Sequence, residues 1–282
     1  MPNSGRTITV AIQGVGGSFH ELAAHKFFDK QVECVYCQTF RQIFSLTRTN
    51  VAEYGVMAIE NSVAGTILPN YGMLRDSEMH IIGEVYLHIQ QNLLALTGQT
   101  IQDIREVRSH PMALQQCEAF FERHPHIELI ESWDTADSAR QVAEKHLKGI
   151  GAIAGLHVAR MYGLKVVAEE IETNKRNFTR FLVVRNKNGT VASTVVDKAS
   201  VCFIIPHVKG TLANVLTVLA DHNINLTKIQ SLPILGKEWE YYIHVDLEFD
   251  NYEDYTLAIA SIRPMLTEFK ILGEYKRGAK VQ

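Results

Sequence analysis

Short apolar segments alternate with amphipathic segments through the first two thirds of the chain. The short segments are rich in β-branched residues, which favours strands over residues 7–12, 32–36, 54–59, 106–108, 127–131 and 150–154. The amphipathic segments predict helices over residues 18–28, 40–48, 111–124, 135–145 and 157–162. This alternation predicts an α/β fold in which helices cover both faces of a parallel sheet.

Two apolar segments in the middle of the chain interrupt this alternation. Residues 80–89 and 92–96 follow one another with no helix between them. We interpret this passage as a crossing from one α/β lobe to a second. Because small molecules commonly bind in a cleft between two lobes, the cleft is where we expect a ligand site.

The pattern changes again after residue 184. Residues 185–190 are polar and contain turn-forming residues, which indicates a linker or an exposed turn. Strands are then predicted over 201–205, 226–231, 241–248 and 270–275, with helices over 211–222 and 252–263. This βαββαβ order predicts a small ferredoxin-like domain. We therefore expect one domain at 1–190 and another at 198–282, whose uncovered sheet face suggests a homodimer or homotetramer.

Composition excludes several classes of protein. The 282 residues carry 28 Lys and Arg against 31 Asp and Glu, a net charge of −3. Binding to nucleic acid or to an anionic membrane would normally require a basic excess, so we expect neither partner. No apolar run approaches the roughly 18 residues of a membrane span, and residues 1–6 lack the apolar core of a signal peptide. We expect a cytoplasmic protein.

The cysteines and histidines give no strong signal for a metal. Cys34 and Cys37 have C-x-x-C spacing, but no second pair follows and both lie in a strand-like apolar run. We favour buried structural thiols there over zinc or redox chemistry. The 12 histidines form no H-E-x-x-H motif. We therefore expect neither a metal nor a cofactor.

The residues that suggest chemistry follow predicted strands. In open α/β sheets, ligands bind beyond the carboxyl ends of strands, where helix amino termini favour anions. Hydroxyl, amide and glycine residues are concentrated at four such junctions, and lysine is scarce there. These junctions are Gly14–Ser18, Glu60-Asn61-Ser62, Ser109-His110-Pro111 and Asp134-Thr135-Ala136. They indicate a small carboxylated ligand held mainly by neutral donors.

Simpler explanations exist for some of these residues. Ser18, Ser109 and Thr135 each suit an ordinary helix N-cap. The glycine turn is no dinucleotide fingerprint, since Phe19 stands where the third glycine belongs. The segment Glu60-Asn61-Ser62 is harder to explain structurally. The same holds for residues 177–181, where a threonine and an arginine are enclosed by aromatic residues, although a surface loop remains an alternative.

Three motifs together resemble the prephenate dehydratase family. They are Glu60-Asn61-Ser62 with Gly65, Ser109-His110-Pro111 with Leu114 and Gln116-Cys117, and Asn177-x-Thr179-Arg180-Phe181. Their order and spacing match over residues 7–184. The segment Asn225-Leu226-Thr227-Lys228-Ile229 resembles the regulatory ACT domain that follows the catalytic domain in that family.

The resemblance implies a two-lobed catalytic domain like periplasmic binding proteins, with the site in the cleft. It implies conversion of prephenate to phenylpyruvate, with loss of water and carbon dioxide, in phenylalanine biosynthesis. Thr179 would donate a proton or hydrogen bond to the leaving hydroxyl, Arg180 would hold a carboxylate, and Phe181 would pack the ring region. The rest of the binding shell would comprise Ser18, Glu60, Asn61, Ser62, Ser109, His110, Thr135 and Ala136.

The same resemblance implies feedback by phenylalanine through the ACT domain. The effector-binding residues would be Gly210, Thr211, Leu212, Asn225, Leu226, Gln230, Ser231 and Pro233. A Glu-Ser-Arg-Pro segment of the family is Gln230-Ser231-Leu232-Pro233 here, so two charges are missing. We expect phenylalanine to inhibit with altered affinity.

Two other functions remain open at this point. Arogenate dehydratase acts on the amino-acid analogue of prephenate, and the residues do not separate the two substrates. A two-lobed cleft with an ACT domain could also bind a carboxylate and an amino acid without catalysis, although the Thr179-Arg180-Phe181 motif argues against this. A fused chorismate mutase is not expected, since no helical extension precedes the first strand.

Overall fold

A computed structural model describes residues 7–28, 31–186 and 195–279. The described residues divide into two compact units: those within 7–66 and 85–181 form one, and those within 67–84 and 182–279 form the other. The domain boundary predicted near residue 190 falls in 187–194, outside the described residues. Within the described ranges, no helix has the length and apolar character needed to cross a membrane.

The elements alternate much as the sequence predicts. The strands are β1 (Ile8–Gln13), β2 (Val32–Cys37), β3 (Tyr54–Asn61), β4 (Gly65–Thr66), β5 (Met79–His88), β6 (Asn92–Ala95), β7 (Glu106–Ser109), β8 (Glu128–Glu131), β9 (Ile150–Ala154), β10 (Lys165–Ala168), β11 (Phe178–Asn186), β12 (Lys198–Ile204), β13 (Asn225–Pro233), β14 (Tyr241–Glu248) and β15 (Glu268–Tyr275). The helices are α1 (Phe19–Phe27), α2 (Phe40–Arg48), α3 (Leu68–Asp76), α4 (Pro111–Gln116), α5 (Glu118–Phe121), α6 (Thr135–Glu144), α7 (Leu156–Tyr162), α8 (Thr211–Asp221) and α9 (Tyr252–Ile262).

The first sheet has the order β2-β1-β3-β11-β5, with β4 added to β3. Its strands β1, β2 and β3 are parallel, as predicted, whereas β4 is antiparallel to β3. The Asn177–Phe181 motif is no surface loop, because β11 begins at Phe178 and lies inside this sheet. The polar motif thus occurs where a central strand begins.

The second sheet has the order β10-β6-β9-β7-β8. Strands β7, β8 and β9 are parallel, but β6 is antiparallel to both of its neighbours, so this sheet is mixed, whereas the alternation of elements predicts a parallel sheet. Strand β5 belongs to the first sheet and β6 to the second, so the direct β5–β6 connection carries the chain from one sheet to the other without a helix, as the sequence predicts.

The C-terminal region confirms the predicted βαββαβ order. Strands β12 to β15 form an antiparallel sheet in the order β13-β14-β12-β15, with α8 and α9 completing the unit. The two helices bury Val215, Leu219, Tyr255 and Ile259 against the sheet, in the helical spacing that the sequence predicts. The fold class of two α/β lobes followed by a ferredoxin-like domain is therefore confirmed.

Candidate active site

Asn61 is the last residue of β3 and is held by four hydrogen bonds. Its Oδ1 accepts from the backbone amides of Val63 at 2.9 Å and Ala64 at 2.8 Å. Its Nδ2 donates to Thr179 Oγ1 at 2.9 Å and to Asn177 Oδ1 at 2.7 Å. The two backbone donors settle which atom of the amide is the oxygen, so the direction of the bond to Thr179 follows from the geometry.

Thr179 is the second residue of β11 and is buried. Its oxygen accepts a hydrogen bond from Asn61, so the hydroxyl proton is directed elsewhere. A hydroxyl has one proton to donate and two lone pairs that accept. Asn61 therefore prepares Thr179 as a hydrogen-bond donor.

A chain of amides extends from this pair into the second lobe. Asn177 Nδ2 donates to Gln116 Oε1 at 2.9 Å, and Gln91 Nε2 donates to the same oxygen at 3.3 Å. Gln116 is the last residue of α4, whereas Asn61 belongs to the first sheet. Side chains from both lobes thus fix the position of Thr179.

The residues next to Thr179 and Asn61 are ordered by burial and by backbone contacts. Arg180 and Phe181 are both buried, and the Phe181 ring packs edge-on against the His20 ring at a centroid distance of 5.1 Å. Burial lowers the pKa of His20 to about 3, so its ring is neutral near pH 7. The Ser62 hydroxyl donates to the Arg176 carbonyl at 2.8 Å and accepts from the Phe178 amide at 2.9 Å, which ties the residue after β3 to the start of β11.

The Ser109-His110 junction differs in detail from the sequence prediction. Ser109 is not an N-cap: its hydroxyl is buried and donates to the Ile153 carbonyl at 2.8 Å. His110 is the N-cap of α4 instead, with Nδ1 accepting from the Met112 amide at 3.2 Å. Burial lowers the pKa of His110, which favours the neutral ring that capping requires.

The Thr135-Ala136 junction also differs from the prediction. Thr135 is not an N-cap but the first residue of α6; the cap is Asp134, whose Oδ1 accepts from the Asp137 amide at 2.8 Å. Ser18 caps α1 as predicted, accepting from the Glu21 amide at 3.3 Å. A Cβ on Gly14 would lie 2.9 Å from Asp134 Oδ2, so these two junctions approach each other closely.

The structure joins some of the predicted site residues and leaves others apart. Asn61, Ser62 and Thr179 are linked through β3 and β11, and Glu60 pairs with Thr66 just before them. Within the described part of the chain, no hydrogen bond joins Ser109 or His110 to Thr179. The candidate site residues named from the sequence leave out Gln91, Gln116 and Asn177, which the hydrogen-bond chain joins to Asn61, although Gln116 and Asn177 stand in the motifs that carry the resemblance.

The C-terminal domain contains a separate cavity of about 650 Å³. Gly210, Leu212 and Ser231 line it, together with Trp239 and Tyr241, which the sequence did not indicate. The other expected effector residues are outside this lining: Thr211, Asn225, Leu226, Gln230 and Pro233. Gly210 has φ of +88°, a conformation that favours glycine, and it is the N-cap residue of α8.

Comparison with known proteins agrees with this architecture. The chain is 35% identical to arogenate dehydratase 2 of Petunia hybrida, over 98% of this chain and 73% of that protein. It is 35% identical to the bifunctional chorismate mutase/prephenate dehydratase of Escherichia coli (strain K12), over 99% of this chain and 70% of that protein. The solved prephenate dehydratase of Arthrobacter aurescens, in complex with L-Phe, matches with a TM-score of 0.84 at 27% identity, covering 96% of this chain and 90% of that one.

Family models match the two regions separately. The prephenate dehydratase model matches residues 10–189 and the ACT domain model matches residues 203–251. The first match spans both α/β sheets up to β11, and the second lies within the ferredoxin-like unit. The chain therefore belongs to the prephenate dehydratase family and carries an ACT domain after its catalytic region.

Proposed function

We propose that this enzyme converts prephenate to phenylpyruvate, with loss of water and carbon dioxide, and uses Thr179 to assist the leaving hydroxyl. The hydrogen bond from Asn61 Nδ2 to Thr179 Oγ1 carries the assignment of Thr179. Because the threonine oxygen accepts this bond, its proton is available for an acceptor in the substrate. A departing ring hydroxyl is such an acceptor.

The reaction requires orientation and charge stabilisation more than strong acids or bases. The bond to the ring carboxylate breaks and releases carbon dioxide, and its electron pair completes the aromatic ring as the ring C–O bond breaks. The leaving oxygen takes up one proton to form water. A threonine hydroxyl is a very weak acid, so Thr179 donates a hydrogen bond while the proton is relayed. Arg180 holds a substrate carboxylate through a charge-assisted bond.

The remaining binding shell follows from the positions at the strand ends. We assign Ser18, Glu60, Asn61, Ser62, Ser109, His110, Thr135, Ala136 and Phe181 to it. The hydroxyls of Ser18 and Ser109 are already engaged, in a helix cap and with a carbonyl respectively. Ser18 therefore holds the start of α1, where unpaired amides favour the anionic substrate, and Ser109 fixes the end of β7 against β9.

Replacing Thr179 tests the proposal directly. We expect Thr179→Ala to lower kcat by about 10²- to 10⁴-fold, the range for general acid assistance, while the thermal melting curve stays close to that of the parent. Thr179→Ser keeps the hydroxyl and should retain most activity. Thr173→Ala removes an exposed threonine six residues away and serves as the matched control. The absorbance of phenylpyruvate after addition of prephenate measures the activity of all three variants. Normal turnover by Thr179→Ala would contradict the role assigned to Thr179.

A second substrate is supported by the relatives named arogenate dehydratases. Comparing kcat/KM for prephenate and arogenate on the same preparation distinguishes the two activities. A non-catalytic binding protein would bind prephenate and release no phenylpyruvate. The intact Asn61–Thr179 pair favours catalysis over that alternative.

We propose that phenylalanine regulates the enzyme through the cavity bounded by Gly210, Leu212 and Ser231. Backbone amides at the start of α8 can donate hydrogen bonds to its carboxylate, and the apolar lining suits its ring. Isothermal titration with phenylalanine should show binding in the parent and a large loss in Gly210→Val, because a β-branched residue is strained at φ of +88°. An absence of binding at millimolar phenylalanine would refute the proposal.

We also propose that the protein is a cytoplasmic homodimer or homotetramer. Strand β13 lies at an edge of the C-terminal sheet and exposes Ile229. Edge strands of this kind offer unpaired backbone groups to a second chain. Light scattering during size-exclusion chromatography measures the subunit number, and a monomer at micromolar concentration would contradict this.

A further inference from the structure

A group of metal-ligating side chains lies between α1 and β2, separate from the residues assigned to catalysis. Glu21 and His25 are four residues apart on α1, so their side chains are one above the other on the same helix face. Cys34 on β2 is next to both. One ligand atom from each of the three side chains lies within 4.8 Å of the other two.

The direction of Cys34 follows from the alternation of β2. Tyr36, two residues on, points to the same face and donates from its hydroxyl to Glu21 Oε1 at 2.8 Å. Cys37 is three residues from Cys34 and is therefore on the opposite face, buried, with Sγ 3.7 Å from the Val35 carbonyl. The C-x-x-C spacing thus does not produce a paired thiol site, and Cys34 is directed to Glu21 and His25 instead.

The Glu21 carboxylate is oriented by two donors. Tyr36 donates to one oxygen and the Gly17 amide donates to the other at 2.5 Å. Each carboxylate oxygen has a further lone pair, so both hydrogen bonds can persist when the carboxylate coordinates a cation. Outer hydrogen bonds of this kind hold ligating carboxylates in known metal sites.

The ligand set favours a cation of intermediate softness. Thiolate, imidazole and carboxylate together suit Zn²⁺ and, less tightly, Co²⁺. Tetrahedral coordination with bonds of 2.0 to 2.3 Å would separate neighbouring ligand atoms by about 3.5 Å. Because the ligand atoms lie within 4.8 Å of one another, closing the group to that spacing requires a shift of at most about 1.3 Å, which rotation of the exposed His25 side chain can supply.

We propose that Glu21, His25 and Cys34 form a binding site for a divalent cation of the zinc class, with water as the remaining ligand. Coordination replaces the S–H bond of Cys34 with a sulfur–metal bond and releases that proton to solvent.

Titration of the full, metal-free chain with Co²⁺ tests the site, because cobalt bound to a thiolate gives a charge-transfer absorption band. We expect saturation at one equivalent, loss of the band on adding Zn²⁺, and release of the Cys34 proton. Cys34→Ser should abolish the band, and His25→Gln, an exposed substitution that leaves folding intact, should weaken binding by about tenfold or more. Cys37→Ser is the matched control and should keep the band.

Three results would overturn the site. The first is no thiolate band in the parent at millimolar Co²⁺. The second is an unchanged band in Cys34→Ser, which would assign binding to another cysteine. The third is equal loss in Cys37→Ser while circular dichroism shows that variant folded. Because absorbance is the readout, none of these depends on the proposed dehydratase activity.

Discussion

At the scale of single residues, the candidate site depends on the direction of hydrogen bonds more than on the identity of the residues. The side-chain oxygen of Asn61 accepts hydrogen bonds from two backbone amides, so the side-chain nitrogen must face Thr179 and Asn177. In that arrangement the oxygen of Thr179 accepts a hydrogen bond from Asn61, and the O–H group of Thr179 can donate one to another acceptor. A residue with the same shape and a reversed polarity at position 61 should therefore disturb catalysis while preserving the fold.

Asn61→Asp makes this substitution with almost no change in volume. The carboxylate can still accept from Val63 and Ala64, but it has no proton for Thr179, so the threonine hydroxyl turns to donate to the carboxylate instead. We expect kcat to fall by about 10²-fold or more, near the lower end of the range for acid assistance. Steady-state kinetics with prephenate would measure the change in kcat and KM separately.

Two comparisons distinguish this effect from a general disturbance. Asn174→Asp alters an exposed asparagine four residues before the start of β11, the strand that carries Thr179. It should leave kcat within about twofold, as expected for a surface change. The double variant Asn61→Asp with Thr179→Ala should be little worse than Thr179→Ala alone, because both remove the same donor. Fully additive losses would show that Asn61 acts independently of Thr179.

At the scale of elements, most strands and helices follow from periodicity, and the misses have identifiable causes. Helix α3 is absent from the sequence prediction because Pro69 and Gly72 interrupt its pattern; the proline is tolerated there because it lies in the first turn. The helix predicted over residues 111–124 is split into α4 and α5 at Cys117. Local rules cannot anticipate such a break, since tertiary packing decides it.

For the candidate site too, local sequence patterns predict only part of what the structure contains. The strand-end positions identify which segments carry polar residues, because parallel strands end at a common edge. They do not reveal how each hydroxyl is used: Ser109 donates to a carbonyl in the neighbouring β9, and the cap passes to His110. That outcome depends on the register between β7 and β9, a non-local feature.

A buried ion pair inside the second compact unit, which comprises residues 67–84 and 182–279, gives a prediction at this scale. Lys198 at the start of β12 lies 3.0 Å from Glu84 on β5 and 3.1 Å from Glu248 on β14, with its side chain and that of Glu84 both 1% exposed. Lys198→Met would remove a buried cation that lies between the carboxylates of Glu84 and Glu248. We expect the free energy of unfolding to fall by about 3–5 kcal/mol in urea titrations.

An exposed ion pair in the same unit provides the control. Lys237 lies 3.2 Å from Glu240, and both side chains are about half exposed. Lys237→Met should change stability by less than about 1 kcal/mol, the usual range for surface pairs. Adding Glu84→Gln to Lys198→Met should recover part of the loss. If Lys198→Met were as mild as Lys237→Met, the buried pair would not stabilise the unit.

At the scale of the whole molecule, buried neutral histidines connect stability to pH. His244 on β14 is 1% exposed, and neither ring nitrogen has a hydrogen-bond partner among the described residues. Its ring packs edge-on against Tyr71. Burial and the Arg75 charge lower its pKa to about 4, against opposing effects of Asp246 and Asp76. Burial likewise lowers the pKa of His20.

The sign of the pH dependence follows from these values. The unfolded chain protonates His244 near pH 6.5, whereas the folded chain resists protonation until about pH 4. Between these values the unfolded state binds more protons, so stability falls as the pH falls and levels off for this group below about pH 4. At 1.4 kcal/mol per pKa unit, the loss from His244 is on the order of 3 kcal/mol.

His244→Phe keeps an aromatic ring against Tyr71 and removes the titrating group. Urea unfolding of the parent and the variant at several values between pH 7 and pH 4 should therefore give a shallower decline for the variant. Part of the decline should persist, because His20 still titrates in the unfolded chain. Parallel curves over this range would mean that His244 is protonated as easily in the folded protein as in the unfolded one. The buried ring would then have a proton acceptor within reach, and the neutral His244 described above would be wrong.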